Sequence, residues 1–342
     1  MKPRIRINFV DFWDDFVPET SLFYQLLSEK YEIELSATPD YLFCSAFGDE
    51  HLKHDCVKIF YTGENQCPDF NLYDYAIGFE RMTLGDRYFR LPIYYLYAND
   101  FAAMQAKHVI ENLDGKGDFC SFVYSNNNAS PHREQFFDKL NEYKTISSGG
   151  RHRNNVGGPV ADKLQFQLTH KFSIAFENSS YPGYCTEKLV QSFAARTIPI
   201  YWGDPQVDES FNEGAFINCH HYASWDDVVE VVKRVDEDNA LCLRMLQTPA
   251  LKNPNIDSRE ATLHRLSEFL THVFEQPLEK AVRYNRYYWG KRYNDRMRCY
   301  AKAYRHSLRG MADYLYKKYF WKHRRKGVLW KIDRRIKRRD KE

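Results

Sequence analysis

The sequence predicts an α/β protein of two domains, each with a largely parallel sheet, followed by a basic helical tail. Three observations carry that reading. At roughly 100 to 200 residues per domain, 342 residues hold two separate cores. Short apolar runs alternate with amphipathic stretches up to about residue 275, as in βαβ units whose crossover helices cover a parallel sheet. Charge is also partitioned: residues 276–342 carry 23 Lys+Arg against 6 Asp+Glu, residues 1–275 carry 26 against 40, and a net +3 hides both.

In chain order, "RIRINFV" reads as a strand, "SLFYQLLSEKY" as an amphipathic helix, and "YLFCSAF" and "CVKIFYTG" as further strands. "DYAIGF" adds a short strand, and "RLPIYYLY" leads into a helix around "ANDFAAMQAKHVIENL". The polar "DGKGD" at 114–118 is the expected linker. A second series follows: strand "FCSFVYSN", a helix capped by Ser130 with Pro131 in its first turn, and a Gly-rich loop "SSGGRHRNNVGGP". Strand "KFSIAFE", helix "TEKLVQSFAAR" and strand "TIPIYWG" make a βαβ unit, with "FINCHHY" and "SWDDVVEVVKRV" as one more strand and helix. The expected domains are 1–116, 117–275 and a tail over 276–342.

Hydrophobic residues at 43% and aromatics at 16% exclude a disordered chain. The start lacks the apolar core of a secretory signal, and no run of about 18 apolar residues occurs. Eight cysteines stand singly without zinc-ligand spacing, so free thiols in a cytoplasmic setting are expected, and the sequon at Asn178 is a turn.

Chemistry concentrates where strands end. In "FENSSYPGYCTEKL" a buried strand runs into polar residues, and Thr186 stands at an N-cap position with Glu187 and Lys188 in the first turn. Such a helix start favours phosphate through its free N–H groups and dipole, Lys188 adds a cation, and Glu187 can accept from hydroxyls. From these residues alone, an ordinary capped helix with a surface Glu–Lys pair is the plainer reading. The loop "SGGRHRNNVGG" sets Arg151 and Arg153 among glycines, which suits a diphosphate or a solvated surface loop. "IFYTGEN" presents Glu64 at the carboxyl end of a strand, where a general base is useful. Asp236-Glu237-Asp238 reads as a polar helix end, and His220-His221 lacks a third ligand, so no metal site is expected.

Taken together, "FENSSYPGYCTEKLVQSFAARTIPIYWG" resembles the donor-site signature of the α1,3-fucosyltransferases, and "FYTGENQCPDFNLYDYAIGFE", "DRYFRLPIYY" and "SSGGRHRNNVGG" resemble the bacterial members over roughly residues 1–275. The resemblance implies a GT-B enzyme: two Rossmann-like domains facing across a cleft, acceptor held by the first and GDP-β-L-fucose by the second. It implies Glu64 as base, Arg153 on the diphosphate, Glu187 and Lys188 on ribose and phosphate, and Asn178 and Tyr184 at further donor-site positions. No cofactor is implied, with a divalent metal at most stimulatory. The implied reaction is inverting transfer to the GlcNAc 3-hydroxyl of a β-galactosyl-GlcNAc acceptor, a Lewis x-type product of surface polysaccharide; another nucleotide sugar or an α1,4 linkage is the alternative.

The tail sets Tyr and Trp among Arg and Lys. Attachment to the anionic inner face of the cytoplasmic membrane is expected. Nucleic-acid binding is the distant alternative, disfavoured because the acidic body repels a polyanion.

Overall fold

The computed structural model describes residues 2–106, 110–125, 127–284 and 287–315. The first sheet uses β1 (Arg4–Val10), β2 (Glu32–Leu35), β3 (Tyr41–Cys44), β4 (Val57–Tyr61), β5 (Tyr75–Gly78) and β6 (Tyr88–Arg90), in the order β2-β1-β3-β4-β5-β6. Every pairing is parallel. Strands β3 to β5 are buried throughout because both faces of a parallel sheet are covered. Helix α1 (Leu22–Lys30) starts at Ser21, whose Oγ accepts from the Tyr24 amide, and buries Phe23 and Leu27. β2 and β6 are unforeseen: the first alternates Glu with apolar residues, the second is three residues long, and both lie at sheet edges where no apolar run is needed.

Helix α2 (Ala98–Gln105) ends earlier than the sequence suggests, and residues 107–109 of that expected helix lie outside the described residues. The second sheet comprises β7 (Asp118–Phe122), β8 (Ile146–Ser148), β9 (His170–Phe176), β10 (Ile198–Trp202) and β11 (Ile217–Asn218), in the order β11-β10-β9-β7-β8, again parallel. Its helices are α3 (His132–Tyr143), α4 (Lys163–Leu168), α5 (Glu187–Ala194), α6 (Trp225–Glu237) and α7 (Asn239–Gln247). The expected strand "FINCHHY" shrinks to two residues before a 3-10 turn at Cys219–His221. Ser130 caps one residue early: its Oγ accepts from the His132 amide, and Pro131 precedes the helix. Ser224 and Asp227 form a reciprocal capping box at α6.

One boundary needs correction. Helix α8 (Arg259–Glu275), which the sequence assigns to the second domain, returns to the first. Its Leu266, Leu270, Val273 and Phe274 join the cluster of Ile5, Ile7, Tyr41 and Phe43, and the Phe274 ring lies 4.3 Å from that of Tyr41. An amphipathic stripe looks the same whichever sheet it covers, so periodicity could not assign it. After α9 (Leu278–Ala281), helix α10 (Tyr288–His306) lays Tyr293, Met297 and Ala301 on the first domain's other apolar cluster, beside Leu42, Phe60 and Tyr73, and α11 (Leu308–Leu315) follows. The tail therefore begins as a docked helix; its residues 316–342 lie outside the described residues.

Candidate active site

The polar end of β9 is not a surface feature. Glu177 is fully buried and takes four roles at once: its amide donates to Trp202 O (2.8 Å), Oε1 accepts from the Thr186 amide (2.7 Å), and Oε2 accepts from Thr186 Oγ1 (2.7 Å) and Lys188 Nζ (2.8 Å). Thr186 thus precedes α5 without capping it through its side chain, because Glu177 engages its hydroxyl. Lys188 Nζ also lies 3.3 Å from Glu187 Oε1. Burial penalises the Lys188 charge, yet Glu177 and Glu187 hold its ammonium above the ordinary lysine value. Burial likewise works against the Glu187 charge, and Lys188 brings its carboxyl below the usual range. The Glu–Lys pair is real, but it belongs to a half-buried triad built on fully buried Glu177 and not to a solvated face.

Glu64 sits on the facing edge, three residues beyond β4, and is exposed. Its amide donates to Thr62 Oγ1 (3.1 Å), which fixes the backbone. The next residue crosses the crevice: Asn65 Nδ2 donates to Ser179 Oγ at 2.8 Å. Around it, Tyr181 and Tyr184 meet Phe79 edge to face, at 6.2 and 5.1 Å between centroids. Gly183 has φ of +87° and donates its amide to Asp204 Oδ1, and a Cβ there would strike the Phe79 carbonyl. Arg81 closes the rim, paired with Asp204 (3.3 Å) and Glu209. The loop 178–184 is therefore the wedge between the sheets. Tyr184 is buried in that wedge, and burial with Glu177 nearby pushes its phenol up.

Asn178 is half-buried; its carbonyl accepts from the Ser130 amide (2.7 Å) and its Oδ1 from Arg133 Nη1 (3.5 Å). Arg153 is not drawn into the triad. Its guanidinium covers the Phe137 ring at 4.2 Å and pairs with Glu134 (3.0 Å) and Asp138 on α3. The Gly-rich loop is also braced by its own side chains. Asn154 Nδ2 donates to the Gly150 and Gly158 carbonyls and Oδ1 accepts from the Gly158 amide, while Asn155 Oδ1 accepts from the Ser148 amide and its Nδ2 donates to Ile146 O.

Sequence reasoning missed three participants. Glu177 had a visible signal, a Glu ending an apolar strand. Half-buried Lys163 donates to Gln191 Oε1 (2.7 Å), Gln191 donates to Asp100 (2.8 Å), and burial brings the Lys163 amine down to about 8 despite Glu187 nearby. Glu80 is buried on Tyr88 (2.9 Å). His221 gains neighbours that spacing concealed: Asp208, Glu213 and His221 hold ligand atoms within 4.8 Å of one another, although Glu213 pairs with Lys252 and His221 lies 3.5 Å from Asp208. Asp236 ends a helix as expected but is buried, bridging Lys144 (3.0 Å) and Lys171 (2.9 Å).

A base-capable carboxylate on one edge, beside the Asn65–Ser179 contact, and a half-buried cation at a helix N-terminus on the other make an arrangement suited to displacing an anionic leaving group. Residues 7–97 match the α-(1,3)-fucosyltransferase FucT N-terminal domain, and residues 113–248 match the C-terminal domain of glycosyltransferase family 10, the fucosyltransferases. The chain belongs to glycosyltransferase family 10. It is 35% identical over 286 residues to the α-(1,3)-fucosyltransferase FucT of Helicobacter pylori, an alignment covering 71% of this chain and 60% of that enzyme. A putative fucosyltransferase of Acanthamoeba polyphaga mimivirus is 29% identical over 231 residues, covering 61% of this chain and 36% of the viral protein. The chain thus spans roughly a third to three fifths of these two relatives' lengths. The crystal structure of an α1,3-fucosyltransferase with GDP-fucose superimposes with a TM-score of 0.71 at 29% identity, over 83% of this chain and 94% of the other. The GDP complex gives 0.69 at 30% identity, over 81% and 92%. The family 10 fold of the chain is therefore GT-B, and its two matched regions end short of α8, the helix that covers the first sheet.

Proposed function

We propose that the chain transfers L-fucose from GDP-β-L-fucose, with inversion, to the 3-hydroxyl of GlcNAc in an N-acetyllactosamine-type surface glycan. The observation that carries this reading is the apposition of exposed Glu64 and the Glu177–Lys188–Glu187 triad, joined by the Asn65–Ser179 bond. Glu64 takes the acceptor proton as the oxygen attacks the anomeric carbon. Lys188 and the α5 N-terminus meet the charge growing on the departing GDP, and Glu187 accepts from the ribose hydroxyls. Arg153 joins the diphosphate by exchanging Glu134 and Asp138 for it. Incubation with radiolabelled GDP-fucose and N-acetyllactosamine, followed by linkage analysis, tests the reading; transfer only from another nucleotide sugar, or an α1,4 product, overturns it.

Among the described residues no helix is long and apolar enough to cross a membrane. Peripheral attachment at an anionic leaflet is the reading favoured by α10, which exposes Tyr288 and Trp289 among basic residues. Flotation with anionic vesicles, compared between full-length protein and a chain ending at 315, tests it; equal flotation sinks a role for the terminal segment.

A further inference from the structure

A cation beside the helix that carries Glu187 and Lys188 has no part in the chemistry above. Half-buried Lys163 opens α4, where Asp162 Oδ1 accepts from the Gln165 amide (3.1 Å), just after the Gly-rich loop closes through the bond from the Val160 amide to Gly149 O (2.9 Å). Its Nζ donates to Gln191 Oε1 (2.7 Å), and Gln191 Nε2 donates to Asp100 Oδ2 (2.8 Å). Gln191 stands one turn beyond Glu187 on α5, and Asp100 lies on α2, which packs against α5. The bonds therefore run from the end of the Gly-rich loop, through α5, to a helix that follows the first sheet.

Charges from three directions meet at this amine. Burial disfavours its charge most and brings it down to about 8; Glu187, Asp100 and Glu177 favour protonation, and Lys188 opposes it. Tyr97, ahead of α2, faces Glu187 as a neutral phenol, pushed up to about 12 by burial and then by that carboxylate. Lys188 offers three N–H donors and all three are engaged, by Glu177 Oε2 (2.8 Å), Thr186 Oγ1 (2.8 Å) and Glu187 Oε1 (3.3 Å). An arriving phosphate has to take one of them. Glu177 is fully buried, so losing its ammonium is the costliest exchange, and the longer contact to half-buried Glu187 is the one that yields. Glu187 stays ionised to accept from ribose hydroxyls, and Lys163 is the neighbouring cation that can match it.

We propose that Lys163 is a positioning residue for Glu187 that takes up a proton when a nucleoside diphosphate draws Lys188 away, so that donor binding carries a proton with it. The role rests on the transferase reading of the α5 start, and the proton comes from solvent. Calorimetry of GDP binding to the full chain, in two buffers of different ionisation enthalpy, tests it. The wild type should take up about half a proton per GDP at pH 8, because about half of the free amines are already charged there. Its affinity should fall about 10-fold between pH 7 and 9, since binding favours the charged amine and that form is lost as pH rises past about 8. Lys163→Arg, charged throughout, should bind without uptake and with a flat profile; Lys163→Met should also be flat, and about 10-fold weaker than wild type at pH 7. A wild type that binds GDP with no uptake and no slope, or uptake that persists in Lys163→Met, overturns the role and leaves the transferase reading standing. Lys163-dependent uptake in a protein that transfers no fucose does the reverse, and a wild type that binds no GDP overturns both.

Discussion

The carboxyl edges of the two sheets are built in opposite ways. On the second, Glu177, Thr186, Lys188 and Glu187 satisfy one another in a cluster anchored on buried Glu177, each carboxylate engaged with a donor or cation. On the first, Glu64 is exposed and anchored through its backbone. The contrast separates two ways of preparing a group for work. A buried network fixes charge positions in advance and ties them to stability, whereas an exposed carboxylate on a braced turn can accept a proton without the fold depending on its charge.

Substitutions at the two edges should therefore fail differently. Glu64→Gln is expected to cut turnover about 100-fold to 10,000-fold, with KM for GDP-fucose and the melting temperature unchanged; near-normal turnover in a purified variant would remove Glu64 from the base role and erase the contrast. Glu177→Leu removes the buried carboxylate that binds both Thr186 and Lys188 and should destabilise by about 3 kcal/mol, read as a lower urea midpoint at constant slope. A loss of activity at full stability would mean that the triad is not structural.

The Gly-rich loop sharpens the comparison, because its cation is neither buried nor free. Arg153→Ala should weaken GDP about 10-fold by calorimetry, the scale of one charge-assisted hydrogen bond. Asp138→Asn should tighten GDP a few-fold, on the order of 1 kcal/mol, because Arg153 then leaves one fewer competing partner; unchanged affinity would show that Arg153 stays on α3. Smallest is Lys163. With its amine at about 8 in the fold and near 10.5 when unfolded, the folded state carries the cost of protonation below pH 8, and that cost disappears as pH rises towards 10.5. Lys163→Met should stabilise at pH 7 by on the order of 1 kcal/mol, with the difference from wild type vanishing towards pH 10.5. A difference that grows with pH contradicts the sign.

Much of this architecture was legible in the chain. β1 falls on "RIRINFV" and β9 on the strand before Asn178, because alternation and unbroken apolar runs report burial directly. The edge strands β2 and β6 escaped because neither needs an apolar run. Within the site, Glu187 and Lys188 stand at the helix start where they were expected, but Glu177 was passed over, since its partners are contributed by residues 9 and 11 positions on.

The sequence by itself determined the two series of strands and helices, the polar strand ends that line the crevice, and the opposed charges of body and tail, all consequences of local periodicity and composition. Only the tertiary structure decided that α8 covers the first sheet, that Arg153 lies on α3, and that Asn65 bonds Ser179 across the crevice. Those outcomes depend on which of several equivalent partners a stripe or a charge meets in space. Sequence spacing carries no term for that choice; close packing and the cost of an unmatched buried charge do.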